Sequence, residues 1–275
     1  RSAREGGDDA LGSGLLKRET IRRGAGMAAL HLREVLRNPW THLAGLALVG
    51  LALAFRGRGS AVGLVSMVAV LQLYLPPLTV VVAAPLLTRR DTWAFWAALP
   101  RPPAAAFRGA ALGIAAGILV PLLVGGAVAG ALLGFTIVEL VLLWLTIAAV
   151  VAFFTAMTAL FSGLTLDVTR AMAMGLAAWG LLVLAYGPVV VAIASAFADY
   201  PLGHFLIASL LLNPLELWRV GLLHTLQVPV LVGPVGKVVT DLFPNGALFL
   251  AAGSFAVVST ALLYLAGWVF AYRER

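Results

Sequence analysis

Few side chains in this 275-residue sequence are equipped for chemistry, and their spacing brings few of them together. The four histidines are scattered: His31 and His42 flank the entry to the first apolar run, while His204 and His224 lie between the last two. None begins the His-Glu-x-x-His pattern that sets two imidazoles on one helical face around zinc. With no cysteine in the chain, thiolate metal sites, iron-sulfur clusters and disulfides are excluded. Met157, Met172 and Met174 carry thioethers of the kind that bind Cu(I), but methionine is more often a gap-filling core residue. Glu139 is the one carboxylate inside an apolar run. Near a membrane surface it would reach water, which is the expected position; deeper, its charge would be costly and would mark a functional acid, with Arg219 as partner. There is no Gly-rich phosphate loop ending in Lys-Ser or Lys-Thr and no Gly-x-Ser-x-Gly. The chain is therefore expected to be no enzyme and to hold no cofactor or metal, any ATP hydrolysis belonging to a partner.

Charge and aromatics concentrate in one place, Thr88 to Gly109, with the sequence TRRDTWAFWAALPRPPAAAFRG. On a helix beginning near Arg89, Trp93, Trp96 and Leu99 share one face, while Arg90, Ala94, Ala97 and Arg101 share another. The first face suits lipid headgroups; the second, small and basic, suits a groove on a partner. Pro100, Pro102 and Pro103 end that helix, because each lacks an amide donor and biases its predecessor away from helical angles. An ordinary loop anchored at the interface by its tryptophans is the plainer reading.

The elements that must hold these residues are membrane helices. The chain is 61% hydrophobic and only 11% charged, where a globular domain has about 25%. The apolar runs are long enough for the ~20 residues that cross ~30 Å of hydrocarbon and lack the alternation of a membrane barrel. The expected fold is all-α: a polytopic membrane protein with six spans, near Trp40 to Phe55, Ala61 to Leu87, Ala110 to Gly134, Phe135 to Phe161, Ala171 to Phe197 and Ala247 to Tyr272. Residues 1–25 read as a mobile basic tail and 26–275 as a single transmembrane domain, with an external segment at 199–246. The tail carries no cleavage-site pattern, so a removed signal peptide is not expected. From Gly26 to Asn38, apolar Ala28, Leu32, Val35 and Leu36 oppose Arg33, Glu34 and Arg37, the pattern of a helix lying in the interface.

Fifteen of the 19 lysines and arginines fall on the side holding both termini and the TRRDTW stretch, which the positive-inside rule assigns to the cytoplasm. A net charge of +7 thus reflects topology and not nucleic acid. Within the spans, Pro76 and Pro77 should kink the second. Gly109, Gly113, Gly117 and Gly125 with Pro121 form a ridge for close helix packing, within one subunit or between two, with Gly126, Gly130 and Gly134 beside it. In the external segment, Asn213-Pro214-Leu215-Glu216 reads as a helix start, with Asn213 as cap, Pro214 in the first position and Glu216 facing the free amides. The following helix is expected to bring Trp218 and Arg219 to an interface, as a platform resting on the bundle.

The order of these parts resembles a known family. A basic entrance helix leads to Leu36-Arg37-Asn38-Pro39-Trp40; a proline-bearing span, LPRPPAAAFRGAALG and an external LLLNPLELWRV follow. This is similar to ABC-2 type transporter permeases, and LLLNPLELWRV in particular resembles the NosY-type permease of the nitrous oxide reductase maturation system. The resemblance implies a multi-pass protein of the bacterial cytoplasmic (inner) membrane, a homodimer bound to a cytoplasmic ABC ATPase through short coupling helices. It also implies an external partner in the periplasm that serves copper-site assembly. By position, Arg89, Arg90, Asp91 and Thr92 match the coupling region, and Asn213, Pro214, Glu216 and Arg219 the external motif. Where the family commonly has an acidic run ending in Gly-Thr, this chain has Thr88-Arg89-Arg90-Asp91-Thr92. The other expectation is a structural or assembly subunit of a larger membrane complex, without transport of its own. The sparse polar lining favours a lipid-like substrate or force transmission over an aqueous pore.

Overall fold

The computed structural model describes residues 24–89, 103–197, 199–200, 202–226 and 246–273. The N-terminal tail before Gly24 and the residues expected to couple to a partner, Arg90, Asp91, Thr92, Trp93, Trp96 and Arg101, lie outside the described residues, as does Lys237. The described chain is helical: α1 (Gly24–Leu36), α2 (Pro39–Phe55), α3 (Ser60–Leu87), α4 (Pro103–Leu133), α5 (Ile137–Thr165), α6 (Val168–Trp179), a π-helical turn (Gly180–Ala185), α7 (Tyr186–Ala196), α8 (Gly203–Leu212), α9 (Pro214–Thr225) and α10 (Ala247–Arg273).

Five units are long and apolar enough to cross a bilayer, α3, α4, α5, α6 with its continuation to Ala196, and α10. The count rises to seven if each of the bent pairs α1–α2 and α8–α9 is one broken span. The helix starts explain where the chain turns. Thr136 caps α5 and closes a capping box with Glu139, after a turn at Gly134 whose φ of 68° is open to glycine at no steric cost. Asp167 caps α6, its carboxylate accepting the Arg170 amide at 2.8 Å. Helix α4 starts at Pro103, seven residues before the span expected from Ala110; proline fits a first helical position, where its missing donor has no intrahelical role.

Helix α5 is central: it packs against α3, α4, α6 and α10 and touches α9. Lipid gives helices no hydrophobic drive to associate, so close backbone approach and internal hydrogen bonds must hold them. Both are present. The hydroxyls of Thr146 and Thr158 donate to the carbonyls one turn earlier, at 2.8 and 2.6 Å, so these buried polar groups stay paired. The small-residue ridge of α4 receives α1 and α2. A methyl at Gly109 would strike the Gly24 backbone, one at Gly113 the Ala28 carbonyl, and one at Gly125 the Gly45 carbonyl, while at Gly117 it would lie 2.6 Å from Val35 Cβ. The ridge is thus spent on packing within one subunit. Gly126 beside it faces side chains of α5, and Gly130 faces Leu140 of α5 and Phe135 just before it.

One end of the bundle gathers the arginines. Arg108 stacks over the Tyr264 ring at 4.6 Å, Phe107 stacks on Phe270 at 4.3 Å, and Arg273 donates to the Leu164 carbonyl. These contacts join the start of α4, the end of α5 and the end of α10. Arg56 and Arg58 follow α2 at the opposite end.

Candidate functional site

Two places bring the predicted residues into defined arrangements, one at each end. At the arginine-rich end, Arg89 reaches back to α1, where its guanidinium meets the Glu34 carboxylate at 2.8 Å. Both side chains are partly open, 51% and 33% exposed, so in water such a pair would contribute only ~0–1 kcal/mol. The glycine contacts between α1 and α4 therefore hold α1, and the ion pair orients it. Both ends of the 90–102 stretch then stand on α1: Arg89 through Glu34, and α4 through Gly109 and Gly113.

His31 lies beneath this pair, 2% exposed, with Nδ1 3.3 Å from the Glu34 carboxylate and neither ring nitrogen in a hydrogen bond. Burial pulls the imidazole below its ordinary pKa; the Glu34 carboxylate opposes that and Arg89 adds to it. No group of three His, Asp or Glu side chains among the described residues could hold a metal ion.

The break between α1 and α2 is a 65° bend. Asn38 accepts the Trp40 amide at 3.0 Å and Pro39 opens α2. Carbonyls at the end of α1 find partners beyond the bend: Val35 accepts both the Asn38 amide at 3.0 Å and Thr41 Oγ1 at 3.1 Å, and His42 Nε2 lies 2.7 Å from the Leu36 carbonyl. Two cavities of about 660 and 810 Å³ open on either side of the Glu34–Arg89 pair. The larger runs between the bend and α3, from Arg89 past Pro85 and Leu78 to Tyr74, whose buried hydroxyl has no hydrogen-bond partner.

At the other end, α8 and α9 meet at 107°. With 10 and 12 residues, neither helix reaches the ~20 needed to cross. Asn213 is fully buried at their junction and uses both ends of its amide. Its oxygen accepts the Leu215 amide at 3.1 Å and its nitrogen donates to the Leu182 carbonyl at 2.8 Å. That carbonyl is available because the π-helical turn sends the Tyr186 amide to Leu181 instead. The Tyr186 hydroxyl in turn donates to the Ser209 carbonyl. Glu216 lies in the first turn as predicted, paired with Arg219 at 2.9 Å.

Two expectations change here, the place of Trp218 and that of the helix carrying it. Trp218 is not at an interface: it is 1% exposed, donates to Thr146 Oγ1 of α5 at 2.9 Å and packs edge-on to Phe255 of α10. Thr146 stands nine residues into α5, about 14 Å along it, so α9 dips into the bundle and does not rest on top. Glu139 stands in the first turn of α5, where its carboxylate accepts the Thr136 amide at 2.8 Å and hydroxyl at 2.9 Å. Arg219 pairs with Glu216 and not with Glu139. The sequence reading missed the Glu34–Arg89 pair and the Leu182 contact, both set by residues distant in the chain. The signal it could have used is that Asn-Pro occurs at both breaks, 38–39 and 213–214.

Comparison with models of known protein families and with curated proteins finds no match to this chain.

Proposed function

We propose that the chain is the permease subunit of an ABC-2 type transporter, coupling ATP hydrolysis by a separate cytoplasmic ATPase to work across the bacterial inner membrane. In this reading α2, α3, α4, α5, the α6–α7 unit and α10 are the six spans and α1 lies in the interface. Both termini and residues 90–102 are cytoplasmic, two copies assemble, and α8–α9 dips in from the periplasmic side to meet an external client. Maturation of a copper enzyme is the client function that the sequence resemblance favours. The observation that carries the reading is the seating of both ends of the 90–102 stretch on α1. A push on that stretch would move α1, α3 and α4 as one body, and α3 and α4 both pack on central α5.

The test is recovery of a co-expressed ABC ATPase with the wild type and with the Arg90→Glu/Arg101→Glu double variant, across a salt series. Reversing charge on that face leaves Trp93 and Trp96 in place, so insertion should survive while recovery falls several-fold, and wild-type recovery should fade as salt rises. Equal recovery with both proteins would reduce residues 90–102 to an interface anchor. Recovery of a redox complex without any ATPase would favour an assembly subunit instead.

A further inference from the structure

The smaller cavity, about 660 Å³, follows α1 and gathers the positive charge of this end. Gly26, Ala29 and Leu30 line its start, Arg33 and Arg37 follow one turn apart, and Arg89 joins them from beyond α3. Among the described residues Glu34 is its one carboxylate, and Arg89 already meets that carboxylate at 2.8 Å. Arg33 and Arg37 are exposed, and among the described residues neither has a side-chain hydrogen bond or ion pair. Three guanidiniums against one carboxylate leave a net charge of about +2 here, whereas the larger cavity holds the Glu34–Arg89 pair and no other charged side chain among the described residues.

His31 is an independent sign of a ligand at the same place. It lines this cavity and is 2% exposed, yet neither ring nitrogen has a hydrogen-bond partner, although Nδ1 lies 3.3 Å from the Glu34 carboxylate. A buried polar group without a partner is costly until something supplies one, and like charges one turn apart repel until an anion lies against both. An oxyanion answers both needs, since its oxygens accept from guanidinium forks and from an imidazole N–H. We propose that this cavity binds the phosphate group of an anionic ligand, held by Arg33, Arg37 and Arg89 with His31 as a buried donor. Its volume lies within the ~300–1,000 Å³ of small-molecule sites, so there is room for the group to which the phosphate is esterified. That ester is either a lipid headgroup or a soluble compound, and the two arms of the test separate them. The proposal invokes no ATPase, so it stands or falls apart from the permease reading.

One arm is equilibrium dialysis of glycerol phosphate against the full chain, delipidated in an uncharged maltoside without phosphate buffer. The other is native mass spectrometry of the chain released from nanodiscs of equal phosphatidylglycerol and phosphatidylcholine content. Saturable uptake of one glycerol phosphate per chain identifies a soluble ester. One phosphatidylglycerol retained per chain in preference to phosphatidylcholine, and not displaced by glycerol phosphate, identifies a headgroup. In the arm that shows binding, Arg33→Gln/Arg37→Gln should weaken it at least about tenfold, because hydrogen bonds between charged groups are lost. Ala29→Trp, which fills the cavity from an exposed lining position, should weaken it as well. Arg58→Gln removes one positive charge at the opposite end, where Arg58 lies over the Phe55 ring, and should leave binding unchanged. Thermal melting in detergent identifies the folded variants. No saturable binding in either arm, unchanged binding in folded Arg33→Gln/Arg37→Gln or Ala29→Trp, or an equal loss with Arg58→Gln would each overturn the proposal.

Discussion

Asn38 and Asn213 hold the same local role in different surroundings. Each caps a helix through its side-chain oxygen, each precedes a proline in the first helical position, and each sits at a sharp bend. Asn38 is partly exposed, and among the described residues its side chain makes that one bond. Asn213 is fully buried and also closes the valence of the Leu182 carbonyl. Losing a cap costs about 0.5–2 kcal/mol, and stranding a buried acceptor costs about 1–3 kcal/mol more. Asn213→Ala should therefore lower the melting temperature in detergent well beyond Asn38→Ala. Asn213→Asp, which keeps the cap but loses the donor, should fall at least as far as Asn213→Ala because it also buries a charge. Melting curves that rank Asn38→Ala as the more damaging change would remove the π-turn contact from the account.

At the scale of elements, the contacts of α4 distinguish two kinds of glycine. At Gly113 an added methyl meets the Ala28 backbone, which cannot move without shifting α1. At Gly126 it meets the ends of Ile147, Leu143 and Trp144 side chains at 3.4–3.5 Å, an ordinary contact distance. Alanine is also favoured over glycine in a helix by about 1 kcal/mol, which offsets a small steric cost. Gly113→Ala should then destabilise by about 1–3 kcal/mol as overpacking does, while Gly126→Ala should be neutral or mildly stabilising. Equal effects on the thermal midpoint would mean that α1 does not dock on that ridge. This ridge was legible in the sequence because four-residue spacing is a local property of one helix, and so were the Asn-Pro starts and the apolar runs. The depth of Trp218 was not, because LELWRVGLLHTL alone does not say that Thr146, seventy-two residues away, supplies a partner. The Glu34–Arg89 pair escaped for the same reason: on α1, Glu34 reads only as part of a polar face. For Glu139, hydropathy leaves both a surface and a deep position open, and the Thr136 capping box fixes it in the first turn of α5.

For the whole molecule, the central question is which end faces the cytoplasm. The fold collects Arg89, Arg108, Arg170 and Arg273 at one end and Arg56 and Arg58 at the other, in keeping with the charge asymmetry of the sequence. A chain obeying the positive-inside rule puts the first group in the cytoplasm. Since the protein has no cysteine, single cysteines report orientation without background. Ser162, just past the expected end of the fourth span at Phe161, is fully buried in α5 and would not react from either side. Thr169, exposed in the first turn of α6, is the better probe for the arginine-rich end, and Arg58, exposed before α3, serves for the other. In intact cells an impermeant maleimide should label Arg58→Cys and leave Thr169→Cys untouched until the membrane is opened. The reverse pattern would place the Glu34–Arg89 pair outside the cell, where no cytoplasmic ATPase could reach it, and the permease reading would fall with the topology.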